Sequence, residues 1–73
     1  MIAPETVWQN ITNNIRELMK SDGRPQKVIA AEMGVSPTTL SEYVHGRAFP
    51  AYDTLVKLCY ALGCDFEDII GRL

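Results

Sequence analysis

A chain of 73 residues with 47% apolar content is enough for one domain and too apolar for a disordered chain. No stretch approaches the roughly 20 apolar residues of a membrane span, and no charged start leads into an apolar secretion signal, so a cytoplasmic protein is expected. The net charge of −2 argues against a strongly basic, polyanion-coating surface.

The charge is unevenly spread. Residues 1–23 carry Arg16 and Lys20 against Glu5, Glu17 and Asp22, a net −1. Residues 24–47 carry Arg24, Lys27 and Arg47 against Glu32 and Glu42, a net +1. Residues 48–73 carry Lys57 and Arg72 against Asp53, Asp65, Glu67 and Asp68, a net −2. The middle third is the only net-positive part.

In chain order, residues 1–5 read as a loose arm. Trp8, Ile11, Ile15 and Leu18 recur at steps of three and four, which predicts a first helix from Val7 to Lys20 with these side chains on one face. Asn13, Asn14, Arg16 and Glu17 fall on the other. Asn10-Ile11-Thr12 matches a glycosylation sequon, a chance match on a cytoplasmic helix. Ser21-Asp22-Gly23 ends the helix. Pro25 suits the first turn of a second helix running to about Met33, because its missing N–H has no partner there anyway.

Gly34 can take the positive φ that a sharp reversal needs. Ser36 followed by Pro37 is a cap and first residue for a third helix that ends before Gly46. Residues 47–50 read as a loop. A fourth helix spans Tyr52 to Leu62, with Leu55, Leu58, Cys59 and Leu62 in its buried stripe and Gly63 as its stop. Asp65 caps a last short helix with Asp68 three positions on, and Phe66, Ile69, Ile70 and Leu73 are its apolar residues. There is no repeat and little period-two alternation, so an all-α chain is expected.

The stretch Gln26–Gly46 carries most of the functional information. Two short helices joined at Gly34-Val35-Ser36 place Ile29, Ala30, Met33, Val35, Leu40 and Tyr43 inward and Pro37, Thr38, Ser41 and Glu42 outward. A second helix crossed over the first, with a short polar outer face, is the geometry that enters a DNA major groove. Enzymatic chemistry finds nothing to carry it: one His, no nucleophile elbow, no paired carboxylates and no phosphate-cradling glycine loop. Cys59 and Cys64 are five apart, not spaced as a zinc or C-x-x-C redox pair, and read as packing residues, with a metal or disulfide role as the alternative. No metal or cofactor is expected.

Gln26, Ile29-Ala30, Met33-Gly34-Val35-Ser36, Leu40, Gly46, Pro50 and Leu55…Leu58…Ala61-Leu62-Gly63 together make the chain similar to the Cro/C1-type (lambda-repressor-like, XRE) helix-turn-helix family. The resemblance covers about Val7 to Ile70. It implies a single five-helix domain over 1–73, with the helix-turn-helix unit at about 25–46 and the third helix (about Pro37–His45) in the major groove. It also implies a sequence-specific transcriptional regulator of the phage-repressor or mobile-element type, with duplex DNA as partner and a two-fold dimer as the bound form. No ligand-sensing or self-cleaving second domain is expected within these residues, unless the chain is a piece of a longer protein.

Carried over by position, Pro37, Thr38, Ser41 and Glu42 face base edges. Gln26, Ser36, Thr39, His45 and Arg47 meet phosphates, and Arg24 either joins them or is simply solvated. Ile69, Ile70 and Leu73 either pack in the core or form the dimer contact. Thr38 can donate, accept or touch a thymine methyl, and Glu42 can accept from a cytosine amino group. Neither an Arg for guanine nor an Asn or Gln for adenine stands on this face, so DNA shape is expected to carry part of any specificity.

Three positions depart from the family pattern. Met19 and Val44 replace the Arg and Glu that often pair between the first and third helices, an exchange of a buried ion pair for apolar residues that is often neutral or stabilising. Arg24 stands where an apolar residue is usual. Ala51 replaces the usual Ser cap of the fourth helix, partly offset by Asp53 in its first turn. The competing reading is a protein-interaction module on the same fold, an antitoxin or anti-repressor, which the acidic balance and Glu42 favour.

Overall fold

The computed structural model describes residues 4–71, which form five helices: α1 (Pro4–Asp22), α2 (Gln26–Met33), α3 (Pro37–Val44), α4 (Tyr52–Leu62) and α5 (Phe66–Ile70). No strand occurs among the described residues. The expected order and number of helices hold. The first helix is longer than its apolar repeat indicates. It begins at Pro4, where a proline is tolerated in the first turn, so Pro4 and Glu5 belong to a helix and not to an arm. Pro25 caps α2 from outside, its carbonyl accepting from the N–H groups of Val28 and Ile29 at 3.0 and 3.3 Å.

α1 packs on α3 and α5, α2 on α3 and α4, and α4 on α5. Their shared core is Ile11, Ile15, Ile29, Ala30, Met33, Leu40, Leu55, Leu58, Ala61 and Ile69. Each large aliphatic side chain fully buried there contributes roughly 1.5–3 kcal/mol. Trp8 leaves the stripe to which its spacing assigns it. It is 41% exposed and meets the ring of Phe49 edge-on, with centroids 4.9 Å apart. Cys59 and Leu62 are half-buried against the core, and Ala61 takes the buried place between them.

α2, α3 and α4 end in the same way. A glycine with φ of 74°, 71° or 64° follows each helix: Gly34, Gly46 and Gly63. The N–H of the next residue then bonds back to the carbonyl five residues earlier: Val35 to Ala30, Arg47 to Glu42 and Cys64 to Cys59, at 3.0, 2.9 and 3.1 Å. This Schellman closure satisfies carbonyls that a helix end otherwise leaves open. At the start of α5, the Asp68 carboxylate accepts from the Asp65 N–H at 3.0 Å, the expected capping arrangement.

Arg24 is corrected by the structure. Its guanidinium is held by Asp22 (Nε to Oδ1 2.7 Å, Nη2 to Oδ2 3.0 Å) and by Glu32 (Nη1 to Oε1 2.9 Å), and Nη2 also donates to the Ala61 carbonyl. The side chain is an internal clip joining the end of α1, the body of α2 and the last turn of α4. Two carboxylates and a carbonyl already partner it, so it is more than a solvated surface cation. Of the two alternatives for Ile69, the structure shows core packing: it is fully buried and offers no surface to a second copy. Ile70 is half-buried against the core, and Leu73 lies outside the described residues.

The hydrogen bond from Arg24 holds the Asp22 carboxyl below the usual carboxylate range. A carboxylate depressed in the folded state stabilises the fold above its unfolded pKa, about 3.9, and that contribution is lost as pH falls through the lower folded value. Asp22→Asn is therefore expected to be less stable than the parent at neutral pH. The gap should close below about pH 4 in urea melts taken across that range. A gap independent of pH would show that the carboxylate charge is not what matters.

Candidate nucleic-acid interface

α3 has eight residues, too few to be stable alone, so its position comes from tertiary contacts and its caps. Leu40 is its one fully buried residue, with Tyr43 and Val44 half-buried beside it. The opposite side is turned outward. Pro37, Thr38 and Glu42 are exposed and Ser41 is half-exposed. The structure thus puts all four expected base-reading residues on the outer side of one helix.

The phosphate candidates flank that face at both ends. At the entry, the Ser36 hydroxyl accepts from the Thr39 N–H at 3.1 Å and lies 2.8 Å from the Thr39 hydroxyl. Gln26 reaches across from the first turn of α2, its Nε2 donating to the Pro37 carbonyl at 3.4 Å. The N-terminal ends of α2 and α3 are therefore adjacent. Helix N-termini present unpaired N–H groups that suit an anion.

At the exit, His45 Nδ1 lies 2.8 Å from the Ser41 carbonyl, a hydrogen bond that the tautomer with its proton on Nδ1 makes. Arg47 is exposed, and its backbone is fixed by the bond from its N–H to the Glu42 carbonyl. The same closure brings the backbones of Glu42 and Arg47 together at the exit of α3. Gly46 lets this exit lie close to α1: a Cβ at Gly46 would sit 3.3 Å from Thr12 Cγ2.

Arg16, which its helix position marks only as outward-facing, has a specific place. Its Nη2 donates to the Val44 carbonyl at 2.8 Å, and its Nη1 to Asn13 Oδ1 at 3.3 Å. A cation at the C-terminal end of α3 complements the helix dipole. This tie joins α1 to α3 at Val44, one turn along α1 from Met19, and both apolar side chains are half-buried against the core. A groove of about 360 Å³ opens here, lined among others by Thr12, Asn13, Arg16 and His45. The Asn13–Arg16 spacing of three is visible in the sequence, but nothing in it shows that this face meets the end of α3.

A helix-turn-helix family model matches residues 15–69. The chain is also similar to the cryptic phage CTXphi transcriptional repressor RstR of Vibrio cholerae serotype O1, at 29% identity over 62 residues. That match covers 85% of this chain and 55% of the repressor, so the chain spans about half the length of that relative. No solved structure matches.

Gly46→Ala is expected to cost roughly 1–2 kcal/mol, because it puts a Cβ on a left-handed residue. The added methyl also presses on Thr12. Urea melts should show a lower midpoint with an unchanged slope. Adding Thr12→Ser, which removes Cγ2, should recover part of the loss. No recovery would mean that backbone strain accounts for all of it.

Proposed function

We propose, for a chain that belongs to the Cro/C1-type helix-turn-helix family, that it is a DNA-binding transcriptional regulator reading its operator with the outer face of α3. The family is one of DNA-binding regulators and not of enzymes. The observation that carries the reading is the joint exposure of Thr38, Ser41 and Glu42 between two sets of phosphate-competent groups, Gln26, Ser36 and Thr39 on one side and His45 and Arg47 on the other. The similarity to a phage repressor supports it and does not favour the interaction-module alternative. Among the described residues, no helix is long and apolar enough to cross a membrane. We take the cytoplasm as the site of action because the operator is there.

In mechanism, the phosphate contacts at the two ends of α3 set its register in the groove, and Thr38, Ser41 and Glu42 then meet base edges. Thr38 packs on a thymine methyl, and Glu42 accepts from a cytosine amino group. Affinity per monomer is modest, since Arg24 is consumed internally and Glu42 opposes the phosphates. A two-fold pair on half-sites about one helical turn apart raises it. With Ile69 in the core, pairing through the C-terminal segment rests on Ile70 and Leu73.

The test is a selection from a randomised duplex library, followed by titrations of the selected site at several salt concentrations. Arg47→Ala is expected to weaken binding on all sequences alike and to reduce the slope of log K against log salt by about one. Glu42→Gln should tighten binding and relax the preference for cytosine at one position. Failure of the library to enrich any motif, with Arg47→Ala equal to the parent, would overturn the reading.

A further inference from the structure

Cys59 and Cys64 occupy the two side-by-side positions of the Schellman closure that ends α4. The Cys64 N–H bonds to the Cys59 carbonyl at 3.1 Å, which closes the backbone between them. In this closure the side chains of the two bonded residues meet on one side of the glycine. At the end of α2 those residues are Ala30 and Val35, an ordinary apolar contact. At the end of α4 they are two free thiols. Both line an open cavity of about 560 Å³ with Tyr52, Val56, Tyr60 and Phe66, so a small reagent can reach them.

The thiols also sense one another. Burial pushes both above the ordinary thiol value, Cys64 to about 11, and the Asp65 and Asp68 carboxylates act in the same direction. The hydrogen bond between them favours ionisation of Cys59 and opposes that of Cys64. Whichever thiol loses its proton is the nucleophile, and its neighbour lies beside it at the helix end.

We propose that Cys59 and Cys64 form a reversible dithiol–disulfide site, closed by exchange with a low-molecular-weight disulfide. Starting from Cys59, its thiolate attacks one sulfur of RSSR. That S–S bond breaks, and RS⁻ leaves and takes up the proton that Cys59 gave to solvent. Cys64, once deprotonated, attacks the Cys59 sulfur of the mixed disulfide and expels the second RS⁻. In total, two protein thiols lose two hydrogens and two electrons, and RSSR becomes two RSH. The bridge joins the last turn of α4, whose Ala61 carbonyl holds Arg24, to the entry of α5. A redox-sensitive joint then lies next to the Arg24 clip, which ties the end of α1 to the last turns of α2 and α4.

The test incubates the folded, reduced protein with oxidised glutathione, quenches with acid, alkylates and reads the intact mass. The main product is expected to lose two hydrogens, to carry no glutathione and to resist alkylation. It should form at least tenfold faster at pH 9 than at pH 7, because the thiolate attacks. Cys64→Ser should stop at a single glutathione on Cys59. Chains carrying two glutathiones, bridged pairs of chains, a rate independent of pH, or a folded protein inert where the urea-unfolded chain reacts would each overturn the proposal.

Discussion

The direction in which α3 faces is decided by where Leu40 goes. An eight-residue helix has little stability of its own, and Leu40 is the only α3 side chain fully withdrawn from water. Its burial among Ile29, Ala30 and Met33 of α2 and the isoleucines of α1 fixes the rotation of α3 about its axis. The outward exposure of Thr38, Ser41 and Glu42 is the other side of the same constraint. A rotation that carried Glu42 inward would place an unpaired carboxylate in the core, at a cost far above what the residue contributes at the surface.

Around that anchor, the chain sets its angles with glycine-ended helices. Gly34 in the left-handed region lets the N–H of Val35 return to Ala30, so α3 starts within a few residues of the end of α2 and crosses it. Ser36 then starts α3 by taking the Thr39 N–H. The small Ala30, fully buried, leaves room for the close crossing. Electrostatics follow the same economy. Arg24 is spent on holding α1, α2 and α4 together, and Arg16 on the carbonyl end of α3. Arg47 and Lys27 remain as exposed cations of the middle segment, and Glu42 tempers them. The acidic residues Asp65, Glu67 and Asp68 belong to α5 and its cap, away from the α3 face.

Most of the helical frame is legible in the sequence, because its punctuation is local. Ser36-Pro37, Gly34, Gly63 and the Asp65–Asp68 pair each act within one turn. The outward face of α3 is legible too, since it follows from the positions of Leu40 and its neighbours. What is not legible depends on contacts across the fold. Arg24 looks like a surface cation until α4 brings the Ala61 carbonyl to it, 37 residues away in sequence. Arg16 looks solvated until Val44 arrives from 28 residues on. Ile69 and Ile70 are equally apolar, and only the docking of α5 on α1, where Asn14 donates to the Ile69 carbonyl, decides that Ile69 is the buried one.

The central claim is that the outer face of α3 is the surface that meets DNA. Backbone amide shifts recorded while the labelled protein is titrated with a selected duplex test it most directly. The account expects changes at Gln26, Thr38, Ser41, Glu42 and Arg47, with Tyr60 and Phe66 on the far side unmoved. Changes confined to the α4–α5 side, with Thr38 and Glu42 silent, would contradict it.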